Sequence, residues 1–244
     1  MYKFFVNNEQ IKDNKVTITG DDAHHIKDVL RMKEGETILV GDGGDHEYVC
    51  DIESLDDDVV VNIVDMNREG RELPINVTLF QALPKADKME TIIQKMVELG
   101  VNEIVPVETS RCVVKLDSKK SEKKVKRWNA IAESAAKQSK RGIVPQIRSV
   151  VKFDDALAQA KHMDVIYMPY ELADDMDHTR KLFEQIEQGM NIAIFIGPEG
   201  GFSEEEVKKA IDIGAKSITL GKRILRTETA GMTVMAVLMY LNEV

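Results

Sequence analysis

The chain has 244 residues, 43% hydrophobic and 31% charged, an ordinary globular balance with room for one large domain or two modest ones. No apolar run approaches the roughly 18 residues of a membrane span, and Met1-Tyr2-Lys3-Phe4-Phe5 lacks the apolar core and cleavage site of a signal peptide, so a cytoplasmic protein is expected. A net charge of −9 argues against nucleic acid, but its distribution does not: residues 1–72 carry 8 Lys+Arg against 18 Asp+Glu, whereas residues 111–148 carry 12 basic against 3 acidic side chains.

Short alternating segments open the chain: Lys3–Val6, Lys15–Ile18, Thr37–Gly41, Glu47–Ile52 and Val59–Val64. Gly20, the Gly41–Gly44 cluster and Leu55–Asp58 separate them at hairpin spacing, the pattern of a small β-barrel. Asp21–Val29 reads as a short helix with an acidic first turn. His24 and His25 are neighbours and cannot address one ligand from the same helix face, which favours surface or capping roles. Cys50 and Cys112 are far apart and match no metal-ligand spacing; reduced, structural thiols and no metal are expected.

Asn67–Pro74 is polar and holds Gly70 and Pro74, which predicts a linker there and domains at 1–72 and 73–244. Beyond it strands and helices alternate: strand Val77–Ala82, helix Lys85–Leu99 stopped by Gly100, strand Glu103–Val107, helix Glu122–Gln138. After Pro145 come helix Asp154–Lys161, strand Asp164–Met168, a polar helix near Thr179–Gln188, and strands Asn191–Ile196 and Ser217–Leu220. This predicts an α/β domain with a mostly parallel sheet covered by helices. The run Lys119, Lys120, Lys123, Lys124, Lys126 and Arg127 is a solvated helix face or, beside a catalytic site, a surface that tracks phosphates. The last helix, Thr229–Asn242, carries Met232, Met235 and Met239 with Val234, Val237, Leu238 and Leu241. Being apolar nearly all round, it is either buried in its own domain or half-buried in a partner chain.

The last two strands end in glycine-marked loops, Ile196-Gly197-Pro198-Glu199-Gly200-Gly201-Phe202-Ser203 and Leu220-Gly221-Lys222-Arg223-Ile224-Leu225-Arg226-Thr227-Glu228-Thr229-Ala230. Both lie at C-terminal strand ends and lead into helices, where free backbone amides gather and ligands of open α/β sheets bind. Gly197, Gly200 and Gly201 can take positive φ, and Ser203 with Glu206 spells a capping box. A phosphate-binding P-loop needs Lys-Ser/Thr directly after its glycines, but Phe202-Ser203-Glu204 follows; the glycine spacing of a dinucleotide fingerprint is absent too. An acidic, lysine-free glycine loop suits a neutral or cationic ligand better than a polyphosphate.

I-G-P-E-G-G-F-S followed by L-G-x-R-I-L-R-x-E-T-A resembles the bacterial 16S ribosomal RNA uridine-N3 methyltransferases, knotted S-adenosylmethionine-dependent enzymes of the SPOUT class. The likeness extends to Glu98-Leu99-Gly100-Val101, to Gln138-Ser139-Lys140-Arg141 before Pro145, and to His24-His25 with Val29-Leu30-Arg31. It covers most of the chain and departs at Lys3, where the family often has arginine. The resemblance implies a PUA-like RNA-binding barrel followed by a SPOUT domain threaded as a deep trefoil knot, an exception to the rule that chains are unknotted. It implies S-adenosylmethionine held by Ile196, Gly197, Pro198, Glu199, Gly200, Leu220, Gly221, Ile224, Leu225, Thr229 and Ala230. It also implies small-subunit ribosomal RNA as partner and a homodimer using the last helix. In the barrel the resemblance implies that His25, Arg31 and Lys33 face the RNA, and motif position and charge together place Lys85, Lys88, Arg111, Lys124, Gln138 and Arg141 around it.

The implied reaction moves a sulfonium methyl to N3 of a uridine, a nitrogen that must first lose its proton and whose negative charge spreads onto O2 and O4. Arg226 is the candidate for stabilising that charge, the alternative being an ion pair with Glu228 or Glu199 that fixes the loops. Glu199 and Glu228 are the carboxylates available for the proton or for the cationic sulfonium, or else loop-capping acceptors. N3 lies on the Watson–Crick edge, so the base must be unpaired or flipped out. The competing readings are a ribose 2′-hydroxyl methyltransferase of the same class and an RNA-binding assembly factor without chemistry; a nucleotide hydrolase is disfavoured by the missing P-loop lysine.

Overall fold

The computed structural model describes residues 1–42, 46–67, 71–170 and 175–243. The chain divides into two compact units, Met1–Glu72 with Ala136–Val144, and Leu73–Ala135 with Pro145–Val244.

The first unit contains β1 (Lys3–Phe5), β2 (Ile11–Lys12), β3 (Lys15–Ile18), helix α1 (Gly20–His24), β4 (Thr37–Gly41), β5 (Glu47–Leu55) and β6 (Val59–Asn67). They form one six-stranded curled sheet in the order β1-β4-β5-β6-β3-β2, parallel at β1–β4 and antiparallel elsewhere. Alternation buries Phe4, Val16, Ile18, Ile38, Val40, Ile52, Val59 and Val61 on one face, and Ile26 from the helical segment closes over them. The predicted helix Asp21–Val29 is α-helical only to His24. It then widens into a π-turn, His25–Val29, in which the Leu30 N–H donates to His25 O, five residues back. Two-residue β2 is too short for a periodic signal. Gly43 and Gly44 of the predicted turn, and residues 68–70 of the predicted linker, lie outside the described residues.

A charged network ties 136–144 to the rest of this unit. Glu72 receives the Arg141 guanidinium, with Arg141 Nε 3.0 Å from Oε2, and its Oε1 accepts from the Gly142 and Ile143 amides at 2.8 and 3.3 Å. Lys137 pairs with Asp22 at 2.6 Å, and the fully buried Lys3 ammonium pairs with Glu47. Cys50 lies in the core, where burial and the nearby Asp51 charge push its thiol up to about 12, so it is an inert thiol.

The second unit contains β7 (Asn76–Ala82), α2 (Lys88–Glu98), β8 (Glu103–Glu108), most of α3 (Ser118–Ser139), β9 (Gln146–Ile147), β10 (Val151–Lys152), α4 (Phe153–Ala160), β11 (Val165–Pro169), α5 (Met176–Phe183), β12 (Asn191–Ile196), α6 (Glu204–Asp212), β13 (Lys216–Ile218) and α7 (Thr227–Asn242). Every strand pair is parallel, in the order β10-β8-β7-β12-β11-β13, with β9 against β8. The strands read as continuous apolar runs because both faces are covered. Phe80 and Phe195, in register on β7 and β12, stack at 4.6 Å, and Phe153 and Phe202 close the cluster.

Helix ends follow local capping. Asp117 Oδ1 accepts from the Lys120 amide and starts α3 at Ser118, four residues before the predicted start. Asp175 caps Asp177 and His178 and places α5 ahead of its predicted span. Gly100 ends α2 with φ +100, and a Cβ there would stand 2.8 Å from Leu73 Cδ1. α7 buries Val234, Met235 and Leu238 but leaves Val237, Tyr240 and Leu241 exposed, so this chain covers only part of its apolar surface. Among the described residues no helix is long and apolar enough to cross a membrane.

Candidate active site

In the second sheet the chain leaves β7 toward β8 on one side, while the strands added after α4 build up on the other side, beyond β12. The connections at the C-terminal ends of β7 and β12 therefore diverge, which makes a crevice at a topological switch point. Three segments meet there: Leu83–Asp87 after β7, Gly197–Ser203 after β12, and the start of α7.

The second of these is built tightly. Gly201 takes φ +65 and its N–H closes a turn onto Pro198 O at 2.9 Å. Gly197 does not take the positive φ expected of it, but a Cβ there would stand 3.2 Å from the Gly201 backbone, so any larger residue would push the two ends of the loop apart by a few tenths of an ångström. Gly200 needs neither positive φ nor close approach: a Cβ there makes an ordinary 3.5 Å contact with Arg111. The capping box is present, with Ser203 Oγ accepting from the Glu206 amide and Glu206 Oε2 accepting from the Ser203 amide. Glu206 Oε1 also accepts from the Ser110 amide at 2.7 Å, and Arg111 Nη1 donates to Gly200 O at 2.8 Å, so the segment after β8 braces the loop.

Lys88, in the first turn of α2, lies between the two acidic candidates, 3.0 Å from Glu199 Oε1 and 3.4 Å from Glu228 Oε2. The Lys85 amide also donates to Glu199 Oε1. The bond to Glu199 raises the Lys88 ammonium above its usual value against a smaller desolvation effect. Burial works to raise the Glu199 carboxyl, but Lys88, its own amide and the Lys85 amide outweigh it and hold the group below the ordinary carboxylate range. Glu228 Oε2 is buried, faces Lys88 and makes no directed hydrogen bond. Arg226 is exposed at the N-cap of α7, and among the described residues no carboxylate lies within ion-pair distance of it; Glu199 and Glu228 face Lys88 instead.

Behind the crevice, fully buried Gln81 sits beside Ile196 at the end of β7 and donates through Nε2 to Ala82 O and Thr227 Oγ1, both at 3.0 Å. The Thr227 hydroxyl donates to Gly197 O at 2.6 Å. Sequence reasoning missed both residues. The available signal for Gln81 was an amide at the buried end of an apolar strand, and Thr227 is the variable position of R-x-E-T-A.

The other predicted residues divide clearly. Ile196 and Pro198 are buried, Gly197, Leu220, Gly221, Leu225 and Ala230 are half-buried, Thr229 is exposed and Ile224 is 91% exposed. His25, Arg31 and Lys33 are exposed on the first unit, as is Gln138. Lys124 lies over the Trp128 ring, with its Nζ 5.7 Å from the centroid. Arg141, expected at the RNA, is 3% exposed, and its guanidinium is taken up by Glu72. Among the described residues no cluster of three or more His, Cys, Asp or Glu could hold a metal.

A parallel α/β unit with a crevice at its switch point, joined in one chain to a curled β-sheet unit, defines a two-part RNA methyltransferase: residues 71–239 match the RNA methyltransferase domain family and residues 18–63 the RNA methyltransferase PUA domain family. The chain is 36% identical to Ribosomal RNA small subunit methyltransferase E of Bacillus subtilis (strain 168), over 100% of this chain and 98% of that one. It is 37% identical to the protein of the same name from Mesomycoplasma hyopneumoniae (strain 232), over 95% and 96%. A crystal structure of Ribosomal RNA small subunit methyltransferase E from Neisseria gonorrhoeae bound to S-adenosyl methionine superposes with a TM-score of 0.85 at 31% identity, covering 99% of this chain and 98% of that one. The chain belongs to the ribosomal RNA small subunit methyltransferase E family.

Proposed function

We propose that the protein methylates N3 of a specific uridine in small-subunit ribosomal RNA with S-adenosylmethionine as donor. Residues 1–72 would serve as the RNA-binding domain and residues 73–244 as the catalytic domain. The observation that carries the reading is the meeting of the two motif loops at the switch point, fastened to each other through Thr227 and Gly197 and holding two carboxylates on either side of Lys88. That set fits an adenosyl group carrying a cationic centre, since two carboxylates flank the single ammonium of Lys88. The Neisseria protein's bound S-adenosyl methionine supports the same reading. Ile196, Gly197, Pro198, Glu199, Gly200, Leu220, Gly221, Ile224, Leu225, Thr229 and Ala230 would hold the donor, whose chemistry is an electrophilic methyl. The trefoil threading belongs to this proposal, as does a homodimer through the exposed Val237, Tyr240 and Leu241 of α7.

The side chains divide the remaining work. Arg226, exposed and uncommitted, is positioned to meet the charge that builds on uracil oxygens as N3 loses its proton. Glu199, ionised and held below the usual range, is a weak proton acceptor and serves better as an anionic anchor with Lys88 and the Lys85 amide. Glu228, whose Oε2 has no directed donor, is the better candidate to receive the N3 proton.

Mass analysis should show that small-subunit RNA from cells lacking the protein has lost one methyl group carried on a uracil base in wild-type RNA; alkali resistance of the linkage at that site in wild-type RNA would mean 2′-hydroxyl methylation instead. Calorimetry should show saturable S-adenosylhomocysteine binding that chelator leaves unchanged, and preferential ATP binding would overturn the reading. On α3, Lys123 and Lys126 are exposed, whereas Lys120 and Arg127 are paired with Asp117 and Glu90. Lys123→Ala and Lys126→Ala should each lower the salt slope of RNA binding by about one unit per lost phosphate contact. An unchanged slope would make this helix face merely solvated.

A further inference from the structure

The hydrogens of the buried Gln81–Thr227–Gly197 chain can point only one way. Ala82 O accepts only, so the Gln81 amide must turn its nitrogen toward it. Gly197 O also accepts only, so the Thr227 hydroxyl proton must go there, and Thr227 Oγ1 is left to accept the second Gln81 proton. The cost of this orientation is visible: Gln81 Oε1 is left buried with no partner, 4.0 Å from where a Cβ on Gly231 would stand.

The three residues belong to three different segments: Gln81 is the penultimate residue of β7, Gly197 opens the loop after β12, and Thr227 is the first residue of α7. One hydroxyl therefore joins both motif loops to the central strand. We propose that Gln81 and Thr227 are positioning residues, a directional relay that sets the spacing of the two donor-binding loops without touching the reacting atoms. The inference rests on the reading of these loops as the methyl-donor site. It assigns the relay to donor binding, leaving the chemical step to Arg226 and the carboxylates.

The test compares Thr227→Val, which keeps shape and removes the hydroxyl, with Thr227→Ser, which keeps the hydroxyl; Gln81→Met removes the amide at similar length. Thr227→Val and Gln81→Met should weaken S-adenosylhomocysteine binding and raise the donor KM by about tenfold or more, with kcat at saturating donor nearly unchanged, while Thr227→Ser stays within about threefold of wild type. Hydrogen exchange on the unliganded protein gives a readout independent of the ligand. The amides of residues 200–202 and 228–230 should exchange faster in Thr227→Val and not in Thr227→Ser, with the first unit unaffected. If wild type binds no S-adenosylhomocysteine, the donor-site reading fails, and exchange alone then decides the relay. Wild-type affinity and exchange in Thr227→Val, or equal damage from the serine variant, would overturn it.

Discussion

Replacing Arg226 by alanine should lower the methylation rate by on the order of 10²–10³, the usual effect of deleting one charge-stabilising donor, while S-adenosylhomocysteine affinity and thermal stability stay near wild type. The structure separates this outcome from its rival. A fastening role would require Arg226 to hold a carboxylate, yet Glu199 and Glu228 both face Lys88, and the Arg226 side chain is exposed. Its backbone contributes the N-cap of α7 and survives the substitution, so α7 should start where it does now. Arg226→Lys should recover only part of the rate, because one ammonium cannot reproduce a planar fork. Single-turnover methylation at saturating RNA, measured beside donor affinity, decides the matter: a weakened donor site with an intact chemical step would remove Arg226 from the catalytic set.

Replacing Glu72 by alanine should destabilise the first unit by about 3 kcal/mol, the lower end of the range for stripping one partner from a buried pair, because Glu72 keeps some exposure while Arg141 does not. The loss takes the Glu72 carboxylate away from a buried guanidinium and removes the acceptor of the Gly142 and Ile143 amides. Arg141→Met should be far milder, since Glu72 would still reach solvent and both amides. Trp128 is the chain's one tryptophan and lies in the second unit, so fluorescence reports the wrong place. Hydrogen exchange of β4 and β5 amides in rising urea is the suitable measurement. A Glu72→Ala protein within about 1 kcal/mol of wild type would return Arg141 to the candidates for RNA contact.

The elements readable in the sequence were those with enough residues for a period. β12 and the strands β3 and β4 fall at their predicted bounds, and the switch from alternation to apolar runs separated a curled sheet from a parallel one. Two-residue strands β2, β9 and β10 have no period to show, and α3 and α5 began early because aspartate caps outrank the hydrophobic pattern at helix starts. The site divided in the same way. Loops rich in glycine and carboxylate announced themselves through composition. What Lys88, Arg141 and Gln81 do depends on partners 69 to 146 residues away, and a charge or amide carries no mark of its future partner. A lysine that looked suited to phosphate instead lies between two carboxylates, and an arginine that looked suited to RNA is spent inside its own fold.

The presence of 136–144 in the first unit has a consequence for the order of events at the ribosome. Glu72 and the buried Lys3 wait for the Arg141 guanidinium and the Lys140 carbonyl, which are translated nearly seventy residues after Glu72. Domains generally fold as they emerge, at about 5–20 residues per second, but the nascent first unit must hold its place for several seconds while β7, α2 and β8 pass through the tunnel. A fragment cut at residue 72 lacks the same pieces permanently. It should therefore be judged as an incomplete fold, and its RNA affinity should not stand in for that of the whole chain.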